Sequence, residues 1–90
     1  MNQKILNEGP SLDVRSLESE LTTIWSEVLE MSIGDIDPDT SFREFGGDSI
    51  SATLCVNRVF RMFKVDLAAN ALLTEEFTIR KLAALIVSAS

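Results

Sequence analysis

Ninety residues with a net charge of −6 and 46% hydrophobic content describe one small folded domain with a single core. No histidine and only one cysteine, Cys55, occur in it. Their scarcity excludes an internal disulfide, a Ser-His-Asp triad and a histidine-ligated zinc site. The acidic balance argues against nucleic acid as the main partner. No apolar run is long enough to span a membrane, and the first thirty residues lack a signal-type segment, so a cytoplasmic location is expected.

Residues 1–11 are polar and contain the breaker Gly9-Pro10, which predicts a linker or an expression remnant, disordered, ahead of a domain over residues 12–88. A first helix is expected from Ser11 or Asp13 to about Met31. Val14, Leu17, Leu21, Ile24, Trp25, Val28 and Met31 share one of its faces, and Glu18, Glu20, Glu27 and Glu30 take the other. Trp25 is expected as a core anchor.

Residues 32–48 form a long connection. Gly34 is expected to finish the first helix's cap and Pro38 to stop any continuation. A loop this long is normally functional or pinned by its own side chains. Ile33, Ile36, Phe42 and Phe45 are the expected pins, with a helical turn near residues 41–45.

Asp48 then caps a second helix running from Ser49 to about Phe63. Its core face should carry Ala52, Cys55, Val56, Val59, Phe60 and Phe63, with Met62 at the edge. The opposite face carries Ser51, Asn57, Arg58 and Arg61, and also the apolar Ile50 and Leu54. A short third helix over residues 68–73 and a final helix capped by Thr78, with Ile79, Leu82, Ala83 and Ile86 inward, complete the pattern. The reading is all-α: a four-helix bundle, three helices longer and one short, with the long loop between helices 1 and 2.

Phe45-Gly46-Gly47-Asp48-Ser49-Ile50 is the most informative stretch. Two glycines give the chain conformational freedom and room for close approach, and Ser49 stands at the positive end of a helix, where an anion is favoured. This hexapeptide resembles the attachment motif of phosphopantetheine carrier proteins, and its double glycine resembles the peptidyl carrier (thiolation) domains of nonribosomal peptide synthetases. The resemblance spans roughly Leu17 to Ile86. It implies a carrier-type helical bundle in which Ser49 receives 4′-phosphopantetheine from coenzyme A, with Asp48 and Gly47 beside it. The arm's thiol would carry aminoacyl or peptidyl groups as thioesters.

The resemblance also implies partners: a phosphopantetheinyl transferase, and adenylation, condensation, epimerisation or thioesterase-type domains. Ile50, Leu54, Arg58 and Arg61 are the expected docking patch on a monomeric, non-catalytic domain. Phe77 replaces the proline often found before the capping threonine of this family, and Asp48 stands where many peptidyl carriers have histidine. An acyl carrier of a polyketide or hybrid synthase remains an alternative, although the second helix contains no acid. A small helical interaction module without modification is the alternative outside the class.

Other readings of the motifs fail on chemistry. A Gly-Asp-Ser hydrolase needs a histidine base and a larger scaffold. Asp35, Asp37 and Asp39 begin like a calcium loop, but Thr40 and Gly46 stand where glycine and a bidentate glutamate are required. Cys55 faces the core and is expected to be inert.

Overall fold

The computed structural model describes residues 13–74 and 77–89. The expectation for residues 1–11 lies outside them. The described residues hold four helices, α1 (Val14–Leu29), α2 (Ser49–Phe63), α3 (Ala69–Thr74) and α4 (Ile79–Ala89), with a 3₁₀ turn at Ile33–Asp35. Helix α1 packs against α2 and α4, and α3 packs against α2. No helix among the described residues is long and apolar enough to cross a membrane.

The helix starts follow from side-chain caps. The Asp13 carboxylate accepts from the Ser16 backbone N–H at 2.9 Å and opens α1. Thr78 Oγ1 accepts from the Lys81 N–H at 3.1 Å and opens α4. The ends are less orthodox. Helix α1 stops at Glu30, which takes the left-handed conformation (φ 57°) and donates its N–H to Ser26 O. Gly34, the expected terminator, lies instead within the 3₁₀ turn. Helix α2 stops the same way at Lys64, φ 61°. Each of these residues bears a Cβ in a region that costs roughly 1–2 kcal/mol.

The core joins Leu17, Leu21, Ile24 and Trp25 of α1 to Ala52, Cys55 and Val59 of α2, and to Leu82, Ala83 and Ile86 of α4. Burying each larger side chain contributes roughly 1.5–3 kcal/mol. Trp25 sits at its centre, fully buried, with the Phe42 ring edge-on at 5.0 Å and the Phe45 ring at 6.2 Å. Its buried Nε1 makes no well-formed hydrogen bond among the described residues and is left with the weak acceptor sulfur of Cys55.

Four apolar expectations change. Ile33 is 55% exposed and pins nothing; Ile36, Phe42 and the half-buried Phe45 hold the loop. Val14 is exposed because it begins α1, beyond the reach of the neighbouring helices. Phe60, expected in the core, is 48% exposed. It follows Val56 by four residues, about 40° further round the helix, and Val56 already marks the edge of the buried arc. Phe63, in the last turn of α2, is only partly buried.

Candidate functional site

The loop leading to Ser49 is tied down from both sides. Ser41 and Glu44 cap each other: the Ser41 N–H donates to Glu44 Oε1 at 3.1 Å, and the Glu44 N–H donates to Ser41 Oγ at 3.2 Å. Residues 42–46 form the expected turn. From the far side, the Phe42 N–H donates to Phe77 O (2.9 Å) and the Arg80 N–H to Pro38 O (3.1 Å). Arg80 Nε also pairs with Asp39 Oδ1 at 2.8 Å. Asp37 Oδ1 accepts from the Asp39 N–H at 2.8 Å, so both acids serve the turn. Phe77, in place of a proline, still presents its carbonyl to the loop.

The two glycines before Asp48 have different jobs. Gly46 has φ +87° and open space around it, so its requirement is conformational. Gly47 lies against Phe42. A Cβ there would come within 2.3 Å of two Phe42 ring carbons and 2.9 Å of the Phe42 carbonyl oxygen. The room that Gly47 leaves is already taken by the protein's own ring.

At Asp48 the chain enters α2 through a reciprocal cap. The Ser51 N–H donates to Asp48 Oδ1, and the Asp48 N–H donates to Ser51 Oγ, each at 2.9 Å. The bonds that the carboxylate itself accepts, first from the Ser51 N–H and then from the Ser51 hydroxyl at 3.1 Å, hold the Asp48 pKa below its usual value. The carboxylate is therefore ionised near neutrality and supplies the anion that this helix end favours. Ser51, read from sequence as part of the open face, is buried by this role.

Ser49 follows at the first helical position. It is exposed, and its hydroxyl makes no hydrogen bond to the described residues. An accessible, unengaged hydroxyl on a rigid helix end is what covalent attachment of a phosphate-linked arm requires, so the residues present fit such a group.

Around Ser49 the surface is mixed. Ile50 is 72% exposed and Leu54 50% exposed, one turn apart. Arg61 is exposed on the same side of α2. Arg58 belongs to a different set: its Nη2 bonds the Glu27 carboxylate and bridges α2 to α1. Between the last turn of α1 and the first turns of α2 lies a cleft of about 290 Å³, whose walls include Val28, Leu29, Glu30, Asp48, Ile50 and Leu54. Cys55 lies on the inner side of α2, and burial pushes its thiol up to about 12, partly offset by the Trp25 indole and by Arg58.

The sequence reading has Asp48 as the cap, Ser49 at the first helical position and Ile50 and Leu54 on the open face, where the structure also has them, but it missed Ser41, Glu44 and Ser51 as structural caps. The signal was available: Ser-x-x-Glu at 41–44 and Asp-x-x-Ser at 48–51 both have capping-box spacing.

Comparison with known proteins agrees with this geometry. The family described as "phosphopantetheine attachment site" matches residues 19–86. Nonribosomal peptide synthetase 30 of Fusarium vanettenii is 38% identical over 68 residues, covering 73% of this chain and 1% of its own length. Malformin synthetase mlfA of Aspergillus homomorphus is 40% identical over 68 residues, covering 76% of the chain and again 1% of its own length. The chain thus spans about one hundredth of these relatives. Among solved structures, a free-standing peptidyl carrier protein from an uncharacterized Acinetobacter baumannii secondary metabolic pathway superposes with a TM-score of 0.78 at 26% identity, covering 88% of this chain and 98% of that one.

Proposed function

This chain belongs to the phosphopantetheine attachment family, and from that premise we propose that it is a peptidyl carrier domain of a nonribosomal peptide synthetase, with Ser49 as its attachment residue. The observation that carries this reading is the free Ser49 hydroxyl at the start of α2. The family's group, 4′-phosphopantetheine, supplies a thiol that holds acyl groups as thioesters.

The chain's own residues present and orient. Asp48 and Ser51 fix the helix end, Gly46 turns the loop into it, and Phe42 packs that loop onto Trp25. Loading forms a bond from Ser49 Oγ to phosphorus and breaks the pyrophosphate bond of coenzyme A, the nucleotide leaving with the bonding pair. The serine proton goes to a base of a separate phosphopantetheinyl transferase. This chain has no histidine to take it, and the Asp48 carboxylate is committed to the cap. The domain itself is non-catalytic.

Ile50, Leu54 and Arg61 form the patch that adenylation, condensation, epimerisation or thioesterase-type domains would touch. Arg58 contributes at its margin through the ion pair with Glu27. A small mixed patch suits brief docking, because a tethered substrate gains local concentration without tight contact. The absence of acids from α2 favours a peptidyl over an acyl carrier, and loading by a purified adenylation domain rather than an acyltransferase would distinguish them. The same reading takes the domain as monomeric and cytoplasmic; a solution mass of one chain checks the first, and fractionation of the producing cells the second.

The deciding experiment is intact mass before and after incubation with coenzyme A and a broad-specificity phosphopantetheinyl transferase. One phosphopantetheine is gained by the natural chain and none by Ser49→Ala, whose helicity is unchanged. Folded protein that gains nothing, beside a control carrier modified in the same tube, overturns the reading in favour of an unmodified interaction module.

A further inference from the structure

Helix α4 is apolar on more than its buried side. Only Arg80, Lys81 and Ser88 are polar among its residues. Ile79, Leu82, Ala83 and Ile86 face the core, yet Ala84, Leu85 and Val87 are exposed. A helix that is apolar all round is normally covered all round. Opposite the core-facing side runs a groove of about 580 Å³, lined by Phe77, Lys81, Ala84, Leu85, Ser88 and Ala89. These positions recur at helical spacing, so they form one stripe along α4.

Charge decides what fits there. Lys81 is the groove's only charged residue, and it is exposed with no ion-pair partner among the described residues. Asp39, the acid of the adjoining hollow, is held by Arg80. Lys81 also stands in the first turn of α4, at the positive end of the helix dipole. An occupant of the groove therefore needs an apolar side and an acid near Lys81.

We propose that this face of α4 seats an amphipathic helical segment of the parent synthetase, apolar along one side and bearing a carboxylate that meets Lys81. The source of the segment rests on the carrier reading above; this chain spans about one hundredth of its synthetase relatives. A helix suits the groove because its own ridges match a stripe at helical spacing. The seat shares no residue with the patch of Ile50, Leu54 and Arg61. It therefore stays occupied while the patch and the arm turn to one catalytic domain after another. Held this way, the carrier keeps a high effective concentration at each partner without tight contact to any of them.

The test has two parts. Isotope-labelled full chain is titrated with a synthetic helical peptide about four turns long, with leucine and alanine along one side and glutamate set to meet Lys81. The amides of Lys81, Ala84, Leu85 and Ser88 should shift. Binding should weaken roughly tenfold when lysine replaces the peptide's glutamate, and as much for Lys81→Glu protein, while the two changes together restore it. Equal binding in all combinations, no shift, or shifts centred on Ile50 and Leu54 overturn the seat. Shifts of the same amides on concentrating the protein alone give the face to a second copy and overturn it as well. In the intact synthetase, a carbodiimide should join Lys81 Nζ to a carboxylate elsewhere in the same polypeptide, forming an amide bond while the reagent takes up the water as a urea. Tandem mass spectrometry maps the join. An uncoupled Lys81, or one coupled within this domain or to another copy, overturns the proposal. Intact mass after the transferase reaction is read separately. One phosphopantetheine gained with no charge-dependent binding removes the seat and leaves the carrier reading standing. No phosphopantetheine removes the synthetase as the source, and the proposal with it.

Discussion

Gly47→Ala is the sharpest perturbation this structure offers, because the added methyl has nowhere to go. It would stand 2.3 Å from Cδ2 and Cε2 of Phe42, where carbon atoms normally rest about 3.5–4.0 Å apart. The ring would have to retreat by more than an ångström, but it is fully buried and packed edge-on against Trp25 at 5.0 Å. Retreat by the backbone is also obstructed, since the Phe42 carbonyl lies 2.9 Å from the new carbon and accepts the Gly47 N–H. Overpacking of this kind costs about 1–3 kcal/mol, and expelling a buried phenylalanine about 3–5. We expect a loss of about 2–3 kcal/mol, or on the order of 10–20 °C in melting temperature for a domain this small. Urea denaturation followed by Trp25, the sole tryptophan, reads the stability and the packing together. Phe42→Leu should restore part of the loss in the Gly47→Ala background, a coupling that a double-mutant cycle measures. Gly46→Ala, with open space but φ +87°, should cost only about 1–2 kcal/mol and leave Trp25 emission unchanged. If Gly47→Ala melts like the natural chain with the same emission, the packing argument is wrong and Gly47 is there for an external group.

Asp48 carries a pH expectation. Its folded pKa is depressed, so its contribution is present above the unfolded value of 3.8 and disappears as pH falls through the lower folded value. Asp48→Ala should remove that acid dependence, read by circular dichroism between pH 2 and pH 5, and lower helicity at neutral pH; an unchanged acid transition would refute the cap's role. Cys55 behaves oppositely: with its thiol held near 12 against an ordinary value of 9.0, the folded state loses stability as pH rises from the lower value to the higher. Native protein should resist alkylation of Cys55 at pH 8 and react only when unfolded, and fast native labelling would place that thiol outside the core. The two arginines should separate: Arg61→Glu slows loading by an adenylation domain with little change in melting, whereas Arg58→Glu lowers the melting temperature by setting an acid against Glu27. That stability change is small, about 1 kcal/mol or less, as for exposed pairs generally. Equal effects from both substitutions would contradict this division.

Helix positions were legible because their signals are local. The spacing of Leu17, Leu21, Ile24 and Trp25, and the caps Asp48 and Thr78, act within one or two turns. The ends of α1 and α2 were less so, since Glu30 and Lys64 adopt left-handed conformations without the glycine that normally signals them. Phe60 falls outside the core because periodicity gives the direction of a buried arc but not its width, and Val56 already marks that arc's edge. At the site, Ser49 and its apolar neighbours could be read from a motif. The Arg58–Glu27 pair joins residues 31 apart, and Gly47 is constrained by a ring folded back over it. Neither leaves a mark in local sequence.

The ties from Pro38, Asp39 and Phe42 to Phe77 and Arg80 have a consequence for the order in which a ribosome makes this domain. Chains emerge N-terminus first and domains fold as units. Ser49 leaves the tunnel well before the segment that steadies the loop ahead of it. Until Phe77 and Arg80 are out, that loop lacks three of its anchors. The half-made chain therefore exposes a serine on an unfinished platform, and a modifying enzyme that requires the completed loop would ignore nascent chains and act only on finished ones.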